Sequence, residues 1–343
     1  MRGNEKSILI IYTGGTIGMV QDPQMGSLIP FDFSHISDRV PELKSFGYRL
    51  ETITFDPLID SSDINPGHWL QMAAIIEQRY DDHSGFVVLH GTDTMAYSAS
   101  ALSFLLKNLE KPVVLTGSQL PIGVLRTDGK ENLITAIETA AAESNGQPMV
   151  PEVCIYFQNK LMRGNRTTKL NAEHFNAFDS PNYPPLAEAG IHMRYNHRAI
   201  RYPGIRQKLE VAGSLDPNVA LLKIFPGITP GVVSAITGIE GLRAIILETY
   251  GSGNAPGDRW FIGSLEKFIS RGGIILNVTQ CHGGSVEMDM YKTGRNLSEI
   301  GVISGRDMTT EAALAKTMYI LGNYSDRNRI IMLLNRSLAG EIT

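Results

Sequence analysis

The stretch Ser7-Ile-Leu-Ile-Ile-Tyr-Thr-Gly-Gly-Thr-Ile-Gly18 joins an apolar, β-branched run directly to a loop of glycine and threonine. A continuous apolar run of this length, bounded by glycine, predicts a strand that is buried on both faces, as in a parallel sheet. Ligands of open parallel sheets bind where the strands end and the loops begin. The sequence from Ser7 to Gly18 therefore predicts both a fold class and the place of a site.

The same pattern recurs through the first half of the chain. We predict strands at Ile8–Ile11, Thr52–Phe55, Phe86–Leu89, Val113–Leu115 and Val153–Phe157. Amphipathic stretches whose length suits crossover helices lie at Pro66–Tyr80, Met95–Leu106 and Lys130–Glu143. This alternation of strand and helix is typical of a doubly wound α/β domain.

The second half repeats the scheme after an irregular segment. Its predicted strands are Val219–Leu222, Ala244–Leu247 and Ile274–Val278. Its predicted helices are Pro230–Thr237, Asp258–Ser270, Glu311–Leu321 and Asp326–Leu334. Residues 194–215 are rich in Arg, Pro, Gly and Tyr and have neither period, so we predict a linker there. The chain is thus predicted to be α/β with two doubly wound lobes. Residues 1–193 would form the larger N-terminal domain with a parallel-rich sheet, and residues 216–343 a smaller C-terminal flavodoxin-like domain.

The composition favours a small-molecule ligand. The 343 residues carry a formal net charge of -4, and no cluster of Lys and Arg is interleaved with aromatic residues, so no nucleic-acid partner is indicated. Cys154 and Cys281 lie far apart without CxxC spacing, which predicts neither a disulfide framework nor a zinc site. No signal peptide is recognisable, and no stretch approaches the roughly 18 apolar residues of a membrane span. We therefore expect a cytoplasmic protein without a bound metal.

Three predicted loops are rich in hydroxyl groups. The stretches Thr13–Gly18, His90–Thr94 and Thr116–Gln119 each follow a predicted strand, so we expect them at one rim of the sheet. A phosphate-binding turn would be the simplest alternative, but the chain contains neither G-x-G-x-x-G here nor G-x-x-x-x-G-K-[ST] anywhere. The G-x-S-x-G and H-E-x-x-H motifs are absent as well. On the residues alone, a hydrolytic site of threonine and aspartate and loops that only cap strands remain equally open.

Two of these loops carry a resemblance to a known family. Tyr12–Met19 and Leu89–Met95 together resemble the two signature motifs of bacterial L-asparaginases, and the likeness is closest to the cytoplasmic type I branch. It extends over essentially the whole chain, through Asp60–Asp63, Arg163–Lys169, Gly251–Pro256 and Thr279–Cys281. The resemblance implies hydrolysis of L-asparagine to L-aspartate and ammonia without a cofactor. It also implies a homodimer or homotetramer whose active sites lie between subunits.

The resemblance also implies catalytic roles, residue by residue. Thr16 would be the nucleophile that forms an aspartyl ester with the substrate. Thr92, Asp93 and Lys169 would form one hydrogen-bonded group that supplies general-base help. A lysine can act as a base only in its neutral form, which burial favours and a neighbouring carboxylate opposes. Backbone N–H and hydroxyl groups around Thr92 would stabilise the oxyanion.

Substrate binding is implied in the same way. Asparagine carries an α-ammonium and an α-carboxylate, and a partly dehydrated pocket must satisfy both charges. Asp93 would bind the ammonium group, and Ser61, Ser62 and the Gly91 backbone would bind the carboxylate. The remaining substrate-binding residues are Asp60, Thr92, Ser118 and Asn254, of which Asn254 would come from a partner subunit. Taken alone, Asp60–Asp63 would indicate a helix cap before Pro66 and Lys169 a solvated loop lysine.

The sequence departs from the family pattern at two places. In the segment Gln21–Leu28, which is predicted to form a flap over the site, Leu28 or Ser27 replaces the expected tyrosine partner of Thr16. The second place is a possible allosteric site for asparagine, which would involve Thr279, Gln280, Cys281 and Thr310. There Glu248 replaces the arginine that is expected to hold the effector carboxylate, so we predict that this control is lost or altered.

Two rival functions remain at this point. Another amidohydrolase of the same architecture would act on glutamine or on amidated aminoacyl-tRNA, although the tRNA substrate is disfavoured because no basic surface is evident. One extra methylene is discriminated by only about 10–200-fold, so some glutaminase activity is compatible with the sequence. A non-catalytic amino-acid-binding protein is the rival from another class, and the missing tyrosine motivates it.

Overall fold

The computed structural model describes residues 6–21, 28–30, 36, 40–204, 207–288, 290 and 292–343. The chain forms two compact units, Met1–Val211 and Ala212–Thr343. The boundary between them falls in the sequence within the segment 194–215, where a linker was predicted. No helix in the described ranges has the length and apolar character needed to cross a membrane.

One large sheet organises the first unit. Its strands within the described residues are β1 (Ser7–Tyr12), β2 (Arg49–Thr54), β3 (Gly85–Leu89), β4 (Val113–Thr116), β5 (Val153–Phe157), β6 (Lys160–Arg163), β7 (Ala187–Glu188) and β8 (Arg194–Tyr195). Their order across the sheet is β8-β7-β6-β5-β4-β3-β1-β2. Neighbours from β2 to β5 pair in parallel, and β6, β7 and β8 are added antiparallel. The non-sequential order of the parallel strands requires crossover connections, and helices provide most of them.

Helices and short elements complete this unit. The helices are α1 (Pro66–Gln78), α2 (Met95–Leu105) and α3 (Gly129–Ala141). Single 3₁₀ turns occupy Thr16–Gly18, Pro41–Ser45, Ser61–Asp63 and Gly164–Arg166. Short strand pairs join Met19–Gln21 to Leu28–Pro30, Leu106–Lys107 to Glu210–Val211, Glu143–Ser144 to Gln147–Pro148, and Thr168–Lys169 to Phe178–Asp179.

The apolar runs become strands because both of their faces are buried. Ile8, Ile10 and Tyr12 of β1 belong to one core cluster with Leu133 and Ile137 of α3. The β1 residues between them are fully buried as well. A strand that is buried on both faces needs no polar alternation, which is why its sequence is continuously hydrophobic.

The second unit has a smaller sheet of the same kind. Its strands are β9 (Val219–Lys223), β10 (Ala244–Thr249), β11 (Ile274–Thr279) and β12 (Ile303–Ser304), which pair in parallel in that order. The helices are α4 (Pro230–Thr237), α5 (Arg259–Ser270), α6 (Lys292–Glu299), α7 (Thr310–Asn323) and α8 (Arg327–Asn335). Leu247 and Ile275 pack in one core with Phe261 and Leu265 of α5. The two sheets confirm the predicted α/β class, although the polar helix α6 was not predicted.

A buried ion pair links α7 of the second unit to the C-terminal residues. Lys316 and Glu341 are both fully buried, with 2.8 Å between Nζ and Oε1. Lys316 Nζ also donates to the carbonyl oxygens of Leu334 and Arg336, at 2.9 and 2.7 Å. Burial lowers the pKa of the Lys316 ammonium, and the Glu341 carboxylate acts in the opposite direction. Three protein acceptors therefore replace the water molecules that the Lys316 ammonium group loses on folding.

Lys316→Met is expected to destabilise the protein by about 3–5 kcal/mol, because it removes the positive charge that is paired with the buried Glu341 carboxylate. Lys6→Met is the matched control, since Lys6 Nζ lies 3.2 Å from Glu143 Oε1 and the two side chains are 30% and 44% exposed. An exposed pair of that kind contributes at most about 1 kcal/mol. The free energies of unfolding of both variants, measured in denaturant, test this. Equal small losses would contradict it.

Candidate active site

The carboxyl ends of four parallel strands lie at one edge of the large sheet. Tyr12 at the end of β1 pairs with Thr54 of β2 and Leu89 of β3, and Leu89 in turn pairs with Thr116 of β4. The loops that follow these strands therefore begin side by side. They carry most of the residues predicted for the site in this unit, namely Thr16, Asp60, Ser61, Ser62, Gly91, Thr92, Asp93 and Ser118.

The first loop is in close backbone contact with the third. A Cβ atom added to Gly15 would lie 2.6 Å from both the Cα and the N of Gly91, and Gly15 has a φ of 89°. Only glycine fits there, both for conformation and for space. Thr16, which is half-buried, begins the 3₁₀ turn immediately after this contact. The structure thus places Thr16 one residue from the point where the loops of the two signature motifs touch.

The second loop packs against the same backbone. Ser61 is buried, and a Cβ atom on Gly91 would lie 2.4 Å from Ser61 Oγ. Thr94 Oγ1 donates to the carbonyl oxygen of Ser61 at 2.6 Å. Asp60 Oδ1 accepts the N–H and the hydroxyl of Ser62, both at 2.9 Å, and these bonds lower the pKa of the Asp60 carboxyl. The predicted substrate-binding residues Asp60, Ser61 and Ser62 are therefore brought next to Gly91.

Thr92, Asp93 and Lys169 form one hydrogen-bonded group, the arrangement that the resemblance implies. Lys169 Nζ donates to Thr92 Oγ1 at 2.8 Å and to Asp93 Oδ1 at 2.7 Å. The Lys169 side chain is 18% exposed, whereas that of Asp93 is 66% exposed. Lys169 comes from the short strand Thr168–Lys169, 76 residues after Asp93 along the chain. The group can therefore relay a proton at Thr92 and present a carboxylate to solvent.

Gln119 also contacts this group, although no role was predicted for it from the sequence. Thr92 Oγ1 donates to Gln119 Oε1 over a long 3.4 Å. The Gln119 amide nitrogen donates to the carbonyl oxygens of Ala172 and His174, at 3.3 and 3.1 Å. Gln119 thus joins Thr92 to the turn that follows Lys169. Its position directly after β4 was the feature of the sequence that could have indicated a role for Gln119. Its contact with residues more than 50 positions later in the chain left no pattern in the sequence.

Ser118 differs from the other predicted substrate-binding residues. It is buried, and its hydroxyl donates to the carbonyl oxygen of Leu120 at 2.5 Å. This bond commits the hydroxyl to its own loop. In this arrangement Ser118 shapes the loop next to Gln119 rather than presenting a free group.

Asn254 lies in the second unit, in the turn after β10. Its backbone N–H and carbonyl exchange hydrogen bonds with Tyr250, at 2.8 and 2.9 Å. The surrounding residues form a mostly apolar depression of about 420 Å³ that includes Phe225 and Trp260. The fold therefore presents Asn254 on a turn at the carboxyl end of a parallel strand.

The residues predicted for an allosteric site also lie in the second unit. Glu248 is buried, and Oε1 accepts the hydroxyl of Thr310 at 2.6 Å, while Oε2 lies 3.4 Å from Lys223 Nζ. The Gln280 amide donates at 2.8 Å to the backbone carbonyl of Glu248. The Thr279 hydroxyl donates to the carbonyl of Gly251 at 2.6 Å and accepts the N–H of the exposed Cys281 at 3.0 Å. Both oxygens of the Glu248 carboxylate therefore have partners within this unit.

Two further predictions concern the flap and a metal. Residues 22–27, which include Ser27, lie outside the described residues, and Leu28 begins a short strand whose backbone pairs with Gln21. In the part of the chain that the structure describes, no group of three or more His, Cys, Asp or Glu residues is arranged to hold a metal ion.

Comparison with known proteins adds independent findings. The family model “Asparaginase, N-terminal” matches residues 7–201, and “Glutaminase/Asparaginase C-terminal domain” matches residues 218–334. L-asparaginase 1 of Escherichia coli (strain K12) is 44% identical over 344 residues, which cover 99% of this chain and 98% of that protein. The 60 kDa lysophospholipase of Mus musculus is 41% identical over 366 residues, which cover 99% of this chain and 63% of that protein. The crystal structure of L-asparaginase I from Vibrio cholerae matches with a TM-score of 0.88 and 39% identity, covering 99% of each chain.

The contact between Gly15 and Gly91 leads to a stability prediction. Gly15→Ala should lower the free energy of unfolding by at least about 2 kcal/mol more than Gly47→Ala does, because it adds a steric clash to the backbone strain. Both glycines have a positive φ, but a Cβ atom on Gly47 would meet nothing within 4 Å. Denaturant unfolding of the two variants measures the difference. Equal losses would show that the two loops are not in contact.

Proposed function

The chain belongs to the asparaginase family, and from this premise we propose that it hydrolyses L-asparagine to L-aspartate and ammonia through a threonine ester intermediate. The observation that carries the proposal is the Thr92, Asp93 and Lys169 group, held beside the Thr16 loop by the contact between Gly15 and Gly91. The identity to L-asparaginase 1 of E. coli over nearly the whole length of both proteins supports it.

We propose the following reaction, which balances without a cofactor. The Thr16 oxygen bonds to the side-chain amide carbon, the C–N bond breaks, and the hydroxyl proton leaves with the nitrogen as ammonia. Water then attacks the ester, the C–O bond to Thr16 breaks, and a proton from the water restores the threonine hydroxyl. The Thr92 hydroxyl and Lys169 amine move these protons, a role that contributes typically about 10²–10⁴-fold to rate.

The two ends of the amino acid substrate find complementary groups near the site. Asp93 Oδ1 accepts Lys169, and no other side chain of the described residues bonds to this mostly exposed carboxylate, so it can receive the α-ammonium. The Ser61–Asp63 turn, which follows Asp60, lies against Gly91, and the Ser61 hydroxyl donates to no acceptor among the described residues, so it can bind the α-carboxylate. The Asp60 carboxylate is occupied by Ser62 and thus shapes this turn.

We further propose a cytoplasmic homodimer or homotetramer in which Asn254 of a partner subunit completes the site. The likeness to the type I branch supports this assembly. This assembly also explains why the polar Asn254 lies among apolar residues such as Phe225 and Trp260. Such apolar surroundings are typical of residues that become buried in an oligomer interface.

The decisive experiment measures ammonia release by wild type, Thr16→Ala and Thr16→Ser. We expect release from asparagine by the wild type, a loss of at least about 10³-fold in Thr16→Ala, and partial activity in Thr16→Ser, which keeps a nucleophilic hydroxyl. Mass spectrometry of acid-quenched enzyme should find the aspartyl ester on residue 16 of the wild type. The ester can also form in Thr16→Ser but should be absent from Thr16→Ala.

Other outcomes would identify the rivals. A label on Thr92 instead of Thr16 would exchange the roles of the two threonines. A glutamine rate above the asparagine rate would make the protein a glutaminase, and fatty acid release from a lysophospholipid would favour the activity named for the mouse relative. Asparagine binding without ammonia release would indicate the non-catalytic binding protein.

Regulation gives a separate prediction. The rate should depend hyperbolically on asparagine concentration, because the Glu248 carboxylate would repel an effector carboxylate and is already bonded to Thr310. Steady-state rates over a wide range of asparagine concentrations test this. A sigmoidal dependence would sink the idea that this control is lost.

A further inference from the structure

A buried chain of hydrogen bonds ends at the peptide group between Gly91 and Thr92. The Trp69 Nε1–H of α1 donates to Ser98 Oγ of α2 at 2.9 Å, and Ser98 Oγ lies 2.8 Å from His90 Nε2. His90 Nδ1 lies 2.7 Å from the carbonyl oxygen of Gly91. Trp69, Ser98 and His90 are all buried. The chain thus connects two helices to the loop that carries Thr92.

The chemistry of its two ends fixes the direction of every bond in this chain. An indole N–H can only donate, so Ser98 Oγ accepts from Trp69 and its own hydrogen is available for His90 Nε2. A carbonyl oxygen can only accept, so His90 Nδ1 must carry the ring hydrogen. Burial lowers the pKa of His90 to about 4, which keeps the ring neutral near pH 7. His90 is therefore the neutral tautomer with its hydrogen on Nδ1.

This bond orients the next backbone N–H. A trans peptide group is planar, and its C=O and N–H point in opposite directions. Because the Gly91 carbonyl points to the buried His90 ring, the Thr92 N–H points away from that ring. Within the described residues the Thr92 N–H has no hydrogen-bond partner. A free N–H beside the Thr16 loop suits an anion, and a hydrogen bond to the carbonyl of the same peptide group strengthens it as a donor.

We propose that His90 is a positioning residue, which holds the peptide group between Gly91 and Thr92 so that the Thr92 N–H stabilises the oxyanion formed when Thr16 attacks. The inference rests on the proposed hydrolysis. It assigns a role in the reaction to a side chain that touches neither the substrate nor the reacting atoms. Ser98 and Trp69 act one step further away, by setting the tautomer of the ring.

Two substitutions separate this role from simple packing. In His90→Asn the amide nitrogen can occupy roughly the place of Nδ1 and donate to Gly91, whereas in His90→Gln it can occupy roughly the place of Nε2 and reach only Ser98. Both variants lose the ring, so their stabilities should be similar. We expect kcat for asparagine to fall about 10-fold or more in His90→Gln and to stay within about three-fold of wild type in His90→Asn. KM should change little in either, because the oxyanion exists only after attack.

Nitrogen-15 NMR of wild type labelled at histidine is an independent test that does not depend on turnover. The His90 signals, assigned in wild type that is also labelled at leucine because Leu89-His90 is the only Leu-His pair of the sequence, should show a protonated Nδ1 and an unprotonated Nε2. The opposite tautomer would overturn the proposal, and so would equal kcat values for the two variants. If both variants fail to fold, the tautomer decides. Absence of ammonia release by the wild type would instead overturn the proposed function. The failure of the proposed function can therefore be told apart from the failure of the His90 proposal.

Discussion

The backbone contact between Gly15 and Gly91 is the constraint on which the candidate site depends. Parallel register alone brings the loops after β1 and β3 to one edge of the sheet, where neighbouring strands are about 4.8 Å apart. Side chains in those loops would hold the backbones further apart. With no Cβ at either residue, Gly15 reaches the Gly91 backbone directly, and Ser61 fills the other side of Gly91. Thr16 and Thr92, each one residue beyond the contact, are thereby held in one site without any direct bond between them.

Most polar groups around this contact are committed to holding the loops. The Thr13 hydroxyl and N–H both donate to the Leu89 carbonyl, and Thr94 donates to Ser61. Such bonds fix a loop but leave nothing for a ligand. Among the described residues, the groups that remain available include the mostly exposed Asp93 carboxylate, the Thr16 and Ser61 hydroxyl groups and the Thr92 N–H. A rigid rim with a small number of open polar groups is a preorganised environment of the kind that the proposed acyl transfer requires.

The sequence predicted β1, β3, β4 and β5 and the loops that follow them because burial on both faces leaves a local signal. The partly exposed β2 begins three residues before its predicted start, and the short strands β6, β7, β8 and β12 were not predicted. Observed β1 and β3 extend the predicted runs by one or two residues, while β5 matches its prediction. Contacts that join distant parts of the chain left no such signal. The pairing of Lys169 with Asp93 was available only through family resemblance, and the bridge from Gln119 to Ala172 and His174 was not foreseen at all. Helix α6 was missed because it is polar, and helical periodicity needs apolar residues to be seen.

The carboxylates of Asp93 and Glu248 differ in their exposure to solvent and in the number of their hydrogen-bond and ion-pair partners. Glu248 is buried, and its bond to the Thr310 hydroxyl is the stronger of its two side-chain interactions, since a hydrogen bond to a charged group contributes about 1.5–3 kcal/mol. Its contact with the exposed Lys223 contributes at most about 1 kcal/mol. Both oxygens are thus satisfied within the unit. Asp93, by contrast, shares one oxygen with Lys169 and keeps the other towards solvent. Burial with internal partners satisfies the Glu248 carboxylate within the protein, whereas exposure with a single partner leaves the Asp93 carboxylate accessible, as the proposed binding of an ammonium group requires.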